Sequence, residues 1–308
     1  MHTAFISHPD TLLHMMDGQH PESPARIAAI KDRMMASHLY DHLQIHNAPA
    51  ATDEQLTRVH TTDYVSHIRA VAPPAGMVQL DADTAMGPMT LPAVLHAAGA
   101  AALAVDLVMA GKVQNAFCCV RPPGHHAGKS RAAGFCIFNN AAVGVAQALA
   151  VHGLERVAII DFDVHHGDGT EDIFRDDPRV MLCSTFQHPL YPYRGADSRT
   201  ERMVNVPLAA GTDGKVFRAA VEQEFAPALE KFAPQMVFVS AGFDAHRDDP
   251  LAGLKLVRKD YIWVTQFILD VAKRHAGNRV VSTLEGGYEL HALADSAEAH
   301  VRTLAGLI

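Results

Sequence analysis

Hydrophobic residues along the chain fall into short continuous runs that alternate with longer stretches of helical periodicity. Short continuous runs are typical of strands that are buried on both faces of a parallel sheet. The predicted strands are residues 116–120, 157–160, 180–184, 236–240 and 279–283. The predicted helices are residues 91–110, 141–152, 212–232 and 259–276. This alternation predicts an α/β fold with a mostly parallel sheet flanked by helices.

Glycines and loop-forming segments divide these elements. Gly111, Gly153 and Gly277 stand at or just beyond the ends of predicted helices, where a left-handed C-terminal cap favours a residue without a Cβ. Segment 73–92, rich in proline, glycine and methionine, and segment 185–204 are predicted to be long irregular loops. No internal repeat or low-complexity linker interrupts the pattern. We therefore expect residues 1–308 to form a single domain.

Composition narrows the class of protein. Of the 308 residues, 48% are hydrophobic and 19% are charged, which is typical of a globular protein and argues against disorder. No apolar run reaches the roughly 18 residues of a membrane span, and His8, Pro9 and Asp10 stand where a signal peptide would need a continuous apolar stretch. We expect a cytoplasmic protein without a membrane partner, and the net charge of −8 argues against a nucleic-acid partner. The four cysteines lack metal-site spacing and are predicted to be reduced and mostly buried.

Unusual polar sequences follow the carboxyl ends of all five predicted strands. In chain order they read RPPGHHAG, DFDVHHGDG, TFQHPLYPYRG, AGFDAHRDDP and LEGGYEL. In an open parallel sheet these strand ends form the crevice where ligands bind. Topology alone is therefore expected to bring the five loops to one site.

The second of these loops carries five side chains that can bind metals or protons: Asp161, Asp163, His165, His166 and Asp168. Alternation along an extended chain predicts that Asp161, Asp163 and His165 project to the same side. Three such ligands with a fourth position open are typical of a catalytic divalent metal, whereas a structural zinc site prefers four protein ligands.

Other candidates have ordinary alternatives when each is taken alone. His125 and His126 suit acid–base chemistry near a metal, or they belong to a surface loop. Asp244 is placed to be a third ligand, or it caps a helix or turn. Tyr288 follows a glycine pair and is placed to donate to a developing oxyanion, or it is a half-buried aromatic residue.

Taken together, these residues resemble the zinc-dependent histone deacetylases and their bacterial relatives, which include histone-deacetylase-like amidohydrolases and acetylpolyamine amidohydrolases. The resemblance covers nearly the whole chain and rests on the motifs GQHPESPARI, RPPGHHA, GFCIFNN, DFDVHHGDGT, SAGFDAHRDDPLAG and LEGGYEL. DDPLAG and LEGGY are more similar to the class II branch. The resemblance implies a three-layer arginase/deacetylase-like fold with the active site at the carboxyl ends of the strands.

The resemblance also implies roles for residues of the site. One zinc ion would be bound by Asp163, His165 and Asp244. His126 would be the general base and then acid, paired to Asp168, while His125 would be paired to Asp161. Tyr288 would stabilise the oxyanion formed when an acetyl or related acyl group is removed from an amine. The implied substrate is an acetyl-lysine peptide or a small acetylated amine, and a homo-oligomer is left open.

A channel and a second cation are implied in the same way. The channel residues are Gly134, Phe135, Tyr191, Leu251 and Gly287. Polyamine-selective relatives have an acidic residue at the position of Leu251, so strict polyamine selectivity is not expected. A structural potassium ion would be bound by Asp161, Asp163, His165 and Ser184. A more remote monovalent cation would lie near Phe174, Asp177 and Val180.

Some positions depart from the family or stay undecided. Phe186 stands where many relatives have histidine, and Tyr191 stands where several have phenylalanine, so substrate preference is uncertain. The acidic residue that grips the substrate backbone in some relatives is either Asp81 or Asp83. Arg26 matches an arginine near an internal cavity, or it lies on a helix surface.

Three other functions compete with acyl-lysine hydrolysis. An acetylpolyamine amidohydrolase would use the same site. A binuclear manganese site of the arginase type would need further bridging ligands and leaves Tyr288 without a role. A non-catalytic acyl-ligand sensor would be favoured by loss of a ligand, of Tyr288 or of the paired histidines, and all of these are present.

Overall fold

The computed structural model describes residues 2–16, 18 and 20–308, and it contains an eight-stranded parallel sheet. The strands are β1 (Thr3–Ser7), β2 (Leu43–Asn47), β3 (Val78–Asp81), β4 (Thr84–Met86), β5 (Asn115–Cys118), β6 (Val157–Asp161), β7 (Val180–Gln187), β8 (Met203–Leu208), β9 (Met236–Ala241) and β10 (Val280–Leu284). Their order in the sheet is β2-β1-β5-β10-β9-β6-β7-β8, and β3 and β4 form a separate antiparallel pair.

Helices cover both faces of this sheet. They are α1 (Ala25–Ala36), α2 (Asp53–Thr57), α3 (Thr62–Val71), α4 (Thr90–Met109), α5 (Asn140–Ala150), α6 (Asp168–Phe174), α7 (Gly214–Ala220), α8 (Ala226–Phe232), α9 (Arg258–His275) and α10 (Leu290–Leu304). Side chains of one strand alternate between two cores: Ile159 packs with α4 and α5, whereas Ala158 and Ile160 pack with α1, α9 and α10. This two-sided burial explains why the strands are continuously apolar, and it confirms the predicted three-layer α/β fold.

The five predicted strands all exist, and they are the five central strands of the sheet. Their ends differ from the prediction by one or more residues, most of all in β7, which extends three residues further, to Gln187. The three strands that the sequence pattern missed, β1, β2 and β8, lie toward the two edges. In β2 buried and exposed positions mix, so its sequence lacks the continuous apolar run of a central strand. Gly111, Gly153 and Gly277 have positive φ angles after their helices, as predicted.

Both segments predicted as irregular loops contain regular structure. Segment 73–92 includes the β3–β4 hairpin and the start of α4, and segment 185–204 includes the end of β7 and the start of β8. Helix 212–232 starts at Gly214 and contains a π-helical stretch, Val221–Phe225, between α7 and α8. The turn-forming composition of 73–92 concealed the hairpin because short strands bounded by glycine and proline lack a long apolar pattern.

Helix α4 corrects a second expectation. Among the described residues it is the one helix long and apolar enough, by length and composition, to cross a membrane, so the statement that no such stretch exists is wrong. Two-thirds of its most apolar stretch is buried, and α4 packs against α5 and the sheet. Its apolar character is thus accounted for by core packing.

Candidate active site

The ends of neighbouring strands β6 and β9 carry the predicted metal ligands. Strand β6 ends at Asp161, and Asp163 and His165 follow in the next turn. Strand β9 lies beside β6, with Ser240 opposite Asp161, and Asp244 follows its end. Parallel pairing of these strands brings residues 80 positions apart into contact. For example, Val164 N–H donates to Asp244 Oδ1 at 2.9 Å.

Asp163, His165 and Asp244 form a compact buried group of possible ligands. His165 Nδ1 lies 3.1 Å from Asp163 Oδ1 and 3.2 Å from Asp244 Oδ2. Bonds of about 2.0 to 2.2 Å to one tetrahedral metal would place such atoms roughly 3.3 Å apart. Asp244 Oδ2 is buried, and among the residues that the structure describes it has no hydrogen-bond partner of normal geometry. The donor set therefore fits one divalent metal ion with further positions open.

The charges of this group also favour a cation. Burial and the neighbouring Asp163 raise the pKa of Asp244 to about 7. Burial lowers the pKa of His165, but its close contacts with the carboxylates of Asp163 and Asp244 outweigh burial and raise that pKa to about 10. Two buried carboxylates are costly unless a positive charge compensates them. A bound metal would supply that charge.

Asp161 does not join this group, contrary to the alternation argument. Its Oδ2 lies 2.9 Å from His125 Nδ1, and its Oδ1 accepts from Asp163 N–H at 3.1 Å. The extended chain ends at Asp161, so the alternation that would align it with Asp163 and His165 does not continue into the turn. The carboxylate therefore supports the ligand Asp163 through its backbone rather than facing the same point.

His125 and His126 each pair with a carboxylate in the same way. His126 Nδ1 lies 2.9 Å from Asp168 Oδ1, the same distance as in the His125–Asp161 pair. Both imidazoles are almost fully buried, and their ring centres are 4.0 Å apart. Asp168 begins α6, where a carboxylate is favoured by the helix dipole. The surface-loop alternative for the two histidines is wrong.

The residues predicted to bind potassium are adjacent. Ser184 of β7 pairs in register with Asp161 of β6, and its hydroxyl lies 3.1 Å from Nδ1 of His166. His166 in turn contacts Glu171 through Nε2, so it is a buried supporting residue. At the more remote predicted cation site, Arg202 Nη1 donates to the carbonyl oxygens of Asp177 and Val180. The guanidinium contacts two of the carbonyl oxygens predicted to face that cation, and the cation itself stays a prediction.

Tyr288 lies in the turn after β10, beside the metal-ligand group. Gly286 N–H donates to Asp163 Oδ2 at 2.8 Å, and Gly287 has a φ of +119°, which favours glycine. Arg26 is fully buried, so the helix-surface alternative for it is wrong. Its Nε donates to Gly287 O at 2.7 Å and its guanidinium lies 4.9 Å from the centre of the Tyr288 ring.

Aromatic residues predicted to line a channel lie beside this group. Phe135 meets the Tyr288 ring edge-on at 5.9 Å, and Tyr191 meets His126 edge-on at 5.1 Å. Gly134 has positive φ, and a Cβ there would lie 2.3 Å from the His126 ring, so the position requires glycine. Leu251 is partly buried in the loop after β9. Phe186 is buried against the ring of His166.

The β3–β4 hairpin supports this wall. Asp83 Oδ1 accepts from Gly134 N–H at 3.1 Å, and Thr84 Oγ1 accepts from Phe135 N–H at 3.0 Å. Asp81 is exposed, and its carboxylate accepts from Ala82 N–H. Of the two undecided acidic residues, Asp83 therefore contacts residues predicted to line the channel, and a role in gripping substrate stays a prediction.

Three charged residues of the site were not among the predicted site residues. Glu285 is fully buried and accepts from the backbone N–H groups of Gly124 and His125, which holds the histidine loop. Asp249 accepts from Tyr288 N–H. Arg131 donates to Asp168 Oδ2 at 2.7 Å. Glu285 and Asp249 lie inside the motifs quoted above. Their position after a strand was the feature of the sequence that could have identified them as site residues.

A second group of possible ligands lies away from this site. His8, Asp10 and His96 place ligand atoms close to one another. The rings of His8 and His96, however, stack at 3.5 Å with 10° between their planes. The in-plane lone pairs of parallel rings cannot converge on one ion, so this arrangement does not present a formed metal site.

Comparison with known proteins agrees with this geometry. Residues 20–304 match the histone deacetylase domain. The chain is 41% identical over 278 residues to the histone deacetylase-like amidohydrolase of Pseudomonas aeruginosa, covering 87% of this chain and 72% of that protein. It is 34% identical to a probable deacetylase of Archaeoglobus fulgidus, covering 94% and 82% of the two chains.

Two further relatives extend the comparison. The human polyamine deacetylase HDAC10 is 35% identical and matches 99% of this chain, which spans 48% of that protein. The crystal structure of the HDA15 HD domain superposes with a TM-score of 0.92 at 33% identity, covering 99% of this chain and 88% of that one. The parallel sheet, the paired histidines at its strand ends and these relatives together show that the chain belongs to the histone deacetylase family.

Proposed function

We propose that this protein is a zinc-dependent deacylase that removes acetyl or related acyl groups from acyl-lysine or a similar N-acetylated amine. The observation that carries the proposal is the convergence of Asp163, His165 and Asp244 beside two histidine–carboxylate pairs. Ligands alone would suit a binding site. Paired imidazoles beside them supply the proton transfers that amide hydrolysis requires.

The three ligands would hold zinc, which suits a set of one imidazole and two carboxylates. When bound, zinc supplies Lewis-acid polarisation of an amide carbonyl and acidifies water. Asp161, Ser184 and the backbone of Asp163 and His165 would hold a structural potassium ion. The hard oxygen donors of that second set suit an alkali cation rather than a transition metal.

The protein side chains would then carry the proton transfers. His126 accepts a proton from water as the water oxygen bonds to the acyl carbon, and Asp168 holds its ring in place. Tyr288 donates a hydrogen bond to the carbonyl oxygen as negative charge develops there. His126 returns the proton to the amine nitrogen as the carbon–nitrogen bond breaks. The products are a carboxylic acid and an amine, and transfer of the remaining acid proton to the amine gives a carboxylate and an ammonium ion. The His125–Asp161 pair would carry positive charge beside the carbonyl oxygen during this step.

Substrate choice would follow from the channel. Gly134, Phe135, Tyr191 and Gly287 would line a narrow passage that fits an extended alkyl amine, with Leu251 at its rim. An apolar rim offers no charge to a second ammonium group, which favours acyl-lysine over acetylpolyamines. One relative is named a polyamine deacetylase, so polyamines must be included in any test.

The test is a turnover panel on zinc-loaded protein with acetyl-lysine peptide, longer acyl-lysines, acetylputrescine and acetylspermidine. We expect hydrolysis of acyl-lysine, and exclusive hydrolysis of acetylpolyamines would contradict the argument from Leu251. Tyr288→Phe is expected to lower kcat by about 10²–10³-fold while zinc content is retained. Unchanged turnover in Tyr288→Phe would overturn the mechanism, and the absence of turnover on every substrate would favour a sensor.

A further inference from the structure

The Asp249 carboxylate links two loops of the site. The side chain is only 6% exposed and belongs to the segment that follows β9. Its Oδ2 accepts from Tyr288 N–H at 2.7 Å and from Glu289 N–H at 3.4 Å. Its Oδ1 accepts from Leu251 N–H at 3.0 Å. One side chain thus contacts the backbone of both the proposed oxyanion residue and the proposed rim residue.

These backbone contacts stand in place of a cationic partner. Among the described residues, no lysine, arginine or histidine side chain lies within ion-pair distance of Asp249. A buried charge without a counterion is costly unless hydrogen bonds compensate it. Backbone N–H donors supply that compensation, and bonds to an ionised acceptor are roughly twice as strong as neutral ones. The carboxylate therefore holds both loops more firmly than a neutral side chain would.

The Tyr288 turn needs such a restraint. Its two preceding residues are glycines, and Gly287 adopts a positive φ, so the backbone has more conformational freedom there than elsewhere. Arg26 restrains Gly287 and lies against the Tyr288 ring. The Tyr288 amide itself is held by Asp249. Removing that bond would release the residue whose hydroxyl must meet the carbonyl oxygen.

We infer that Asp249 is a positioning residue that fixes Tyr288 for catalysis and couples it to Leu251 at the channel rim. This inference rests on the proposed deacylase function. A displacement of about 1 Å in a reacting group can cost 10²-fold in rate. Asp249 therefore acts on kcat through Tyr288, without touching the substrate.

The main test is Asp249→Asn in zinc-loaded protein with an acetyl-lysine peptide. Asparagine keeps the size, but its amide nitrogen cannot accept, so one of the two loops loses its anchor. We expect kcat to fall about 10- to 100-fold with KM changed less than about threefold. Asp248→Asn is the matched control, because the neighbouring Asp248 side chain is 55% exposed and, within the described part of the chain, its ion-pair contacts are with His246 and Arg247. Its kcat should equal that of the unsubstituted protein.

A double-mutant cycle separates positioning from general stability. In the Tyr288→Phe background, Asp249→Asn should lower the residual kcat less than about twofold, because non-additivity identifies residues that act as a unit. The same loss in both backgrounds, or an unchanged kcat in Asp249→Asn, would overturn the inference. If circular dichroism shows that Asp249→Asn does not fold, the same cycle is measured with Asp249→Glu. This substitution keeps the charge and moves the acceptor oxygens. Inactivity of the unsubstituted protein would instead contradict the proposed function.

Discussion

The two histidine–carboxylate pairs have the same geometry and different surroundings. In each pair the imidazole Nδ1 lies 2.9 Å from a carboxylate oxygen, and both rings are buried. The His125–Asp161 pair faces Asp163, whose Oδ1 lies 3.8 Å from His125 Nε2. The His126–Asp168 pair faces Tyr191 on one side and Arg131 on the other. The residues that surround each pair, rather than the pairs themselves, distinguish the two histidines.

The surrounding residues shift the pKa values of His125 and His126 in opposite directions. Burial lowers the pKa of His125, but the charges of Asp163 and Asp161 outweigh burial and raise it well above its usual value. Burial and the positive charge of His125 lower the pKa of His126 to about 3, against the attraction of Asp168. A cation held by Asp163 would reduce the effect on His125. The comparison teaches that a carboxylate partner orients an imidazole, while the wider charge balance decides whether it holds a proton.

The largest expected effect separates the two histidines directly. His126→Ala should lower kcat by about 10²–10⁴-fold, because it removes the proposed acid–base group, and zinc should remain bound. His125→Ala should cost about 10- to 100-fold, as expected for a supporting group. Steady-state kinetics with metal analysis checks both. His152→Ala is the control. His152 follows α5 and pairs with Asp106 of α4, outside the site. Equal losses in the two variants would remove the distinction.

The carboxylates should differ in metal binding. Asp161→Asn and Asp168→Asn should each lower kcat/KM by about 10- to 100-fold, since both orient an imidazole. Only Asp161→Asn should also weaken zinc binding, because Asp161 accepts from the backbone of the ligand Asp163. Competition with a chelator measures this difference. Equal zinc affinity in the two variants would show that the Asp161 contact does not support the ligand.

The Asp168 pair should also respond to pH in the metal-free protein. Burial raises the pKa of Asp168, but His126 and Arg131 outweigh it and lower the pKa to about 2. Because the folded pKa lies below the ordinary value of 3.8, the ionised form stabilises the fold above about pH 4. This contribution, on the order of 2 kcal/mol, should disappear as pH falls toward 2.

Urea unfolding of the unsubstituted protein and Asp168→Asn between pH 7 and pH 2 measures that contribution. The difference in the free energy of unfolding should shrink through the acid range. A difference that stays constant with pH would mean that the carboxylate stabilises the fold by packing rather than by charge.

The smallest expected effect concerns Arg131, which distinguishes the His126 pair from its neighbour. Its side chain is 36% exposed, so solvent screens its ion pair with Asp168. Arg131→Gln should lower kcat about two- to fivefold, and Arg131→Lys should restore most of it because the charge is kept. A loss above 100-fold in Arg131→Gln would give Arg131 a direct role in the chemistry.

The central strands and the loops that follow them could be predicted, because both depend on patterns of consecutive residues. Central strands such as β6 are continuously apolar, and loops after parallel strands meet at one edge, so the convergence of Asp163, His165 and Asp244 could be expected. Strand β2 was missed because an edge strand mixes exposed and buried positions. The β3–β4 hairpin was missed because its turn residues resemble those of an irregular loop.

The supporting residues of the site could not be predicted for a different reason. Asp249 and Glu285 are single carboxylates whose partners are backbone N–H groups of other loops. Such contacts leave no spacing pattern, since any residue can supply the donor. The contact of Arg202 with the carbonyl oxygens of Asp177 and Val180 is equally hidden, because it forms only where the chain folds back on itself.

The hairpin behind the channel wall has a consequence for how this protein can diversify. Gly134 and Phe135 both have positive φ, a conformation that costs energy at Phe135, and the hairpin holds them through Asp83 and Thr84. The segment that shapes the entrance therefore lies far in sequence from the segments that carry protons. Under the proposed function, exchanges between β3 and β4 would alter which amines enter, while the metal-ligand group on the loops after β6 and β9 would stay in place. Substrate selection and metal binding would then change in separate steps.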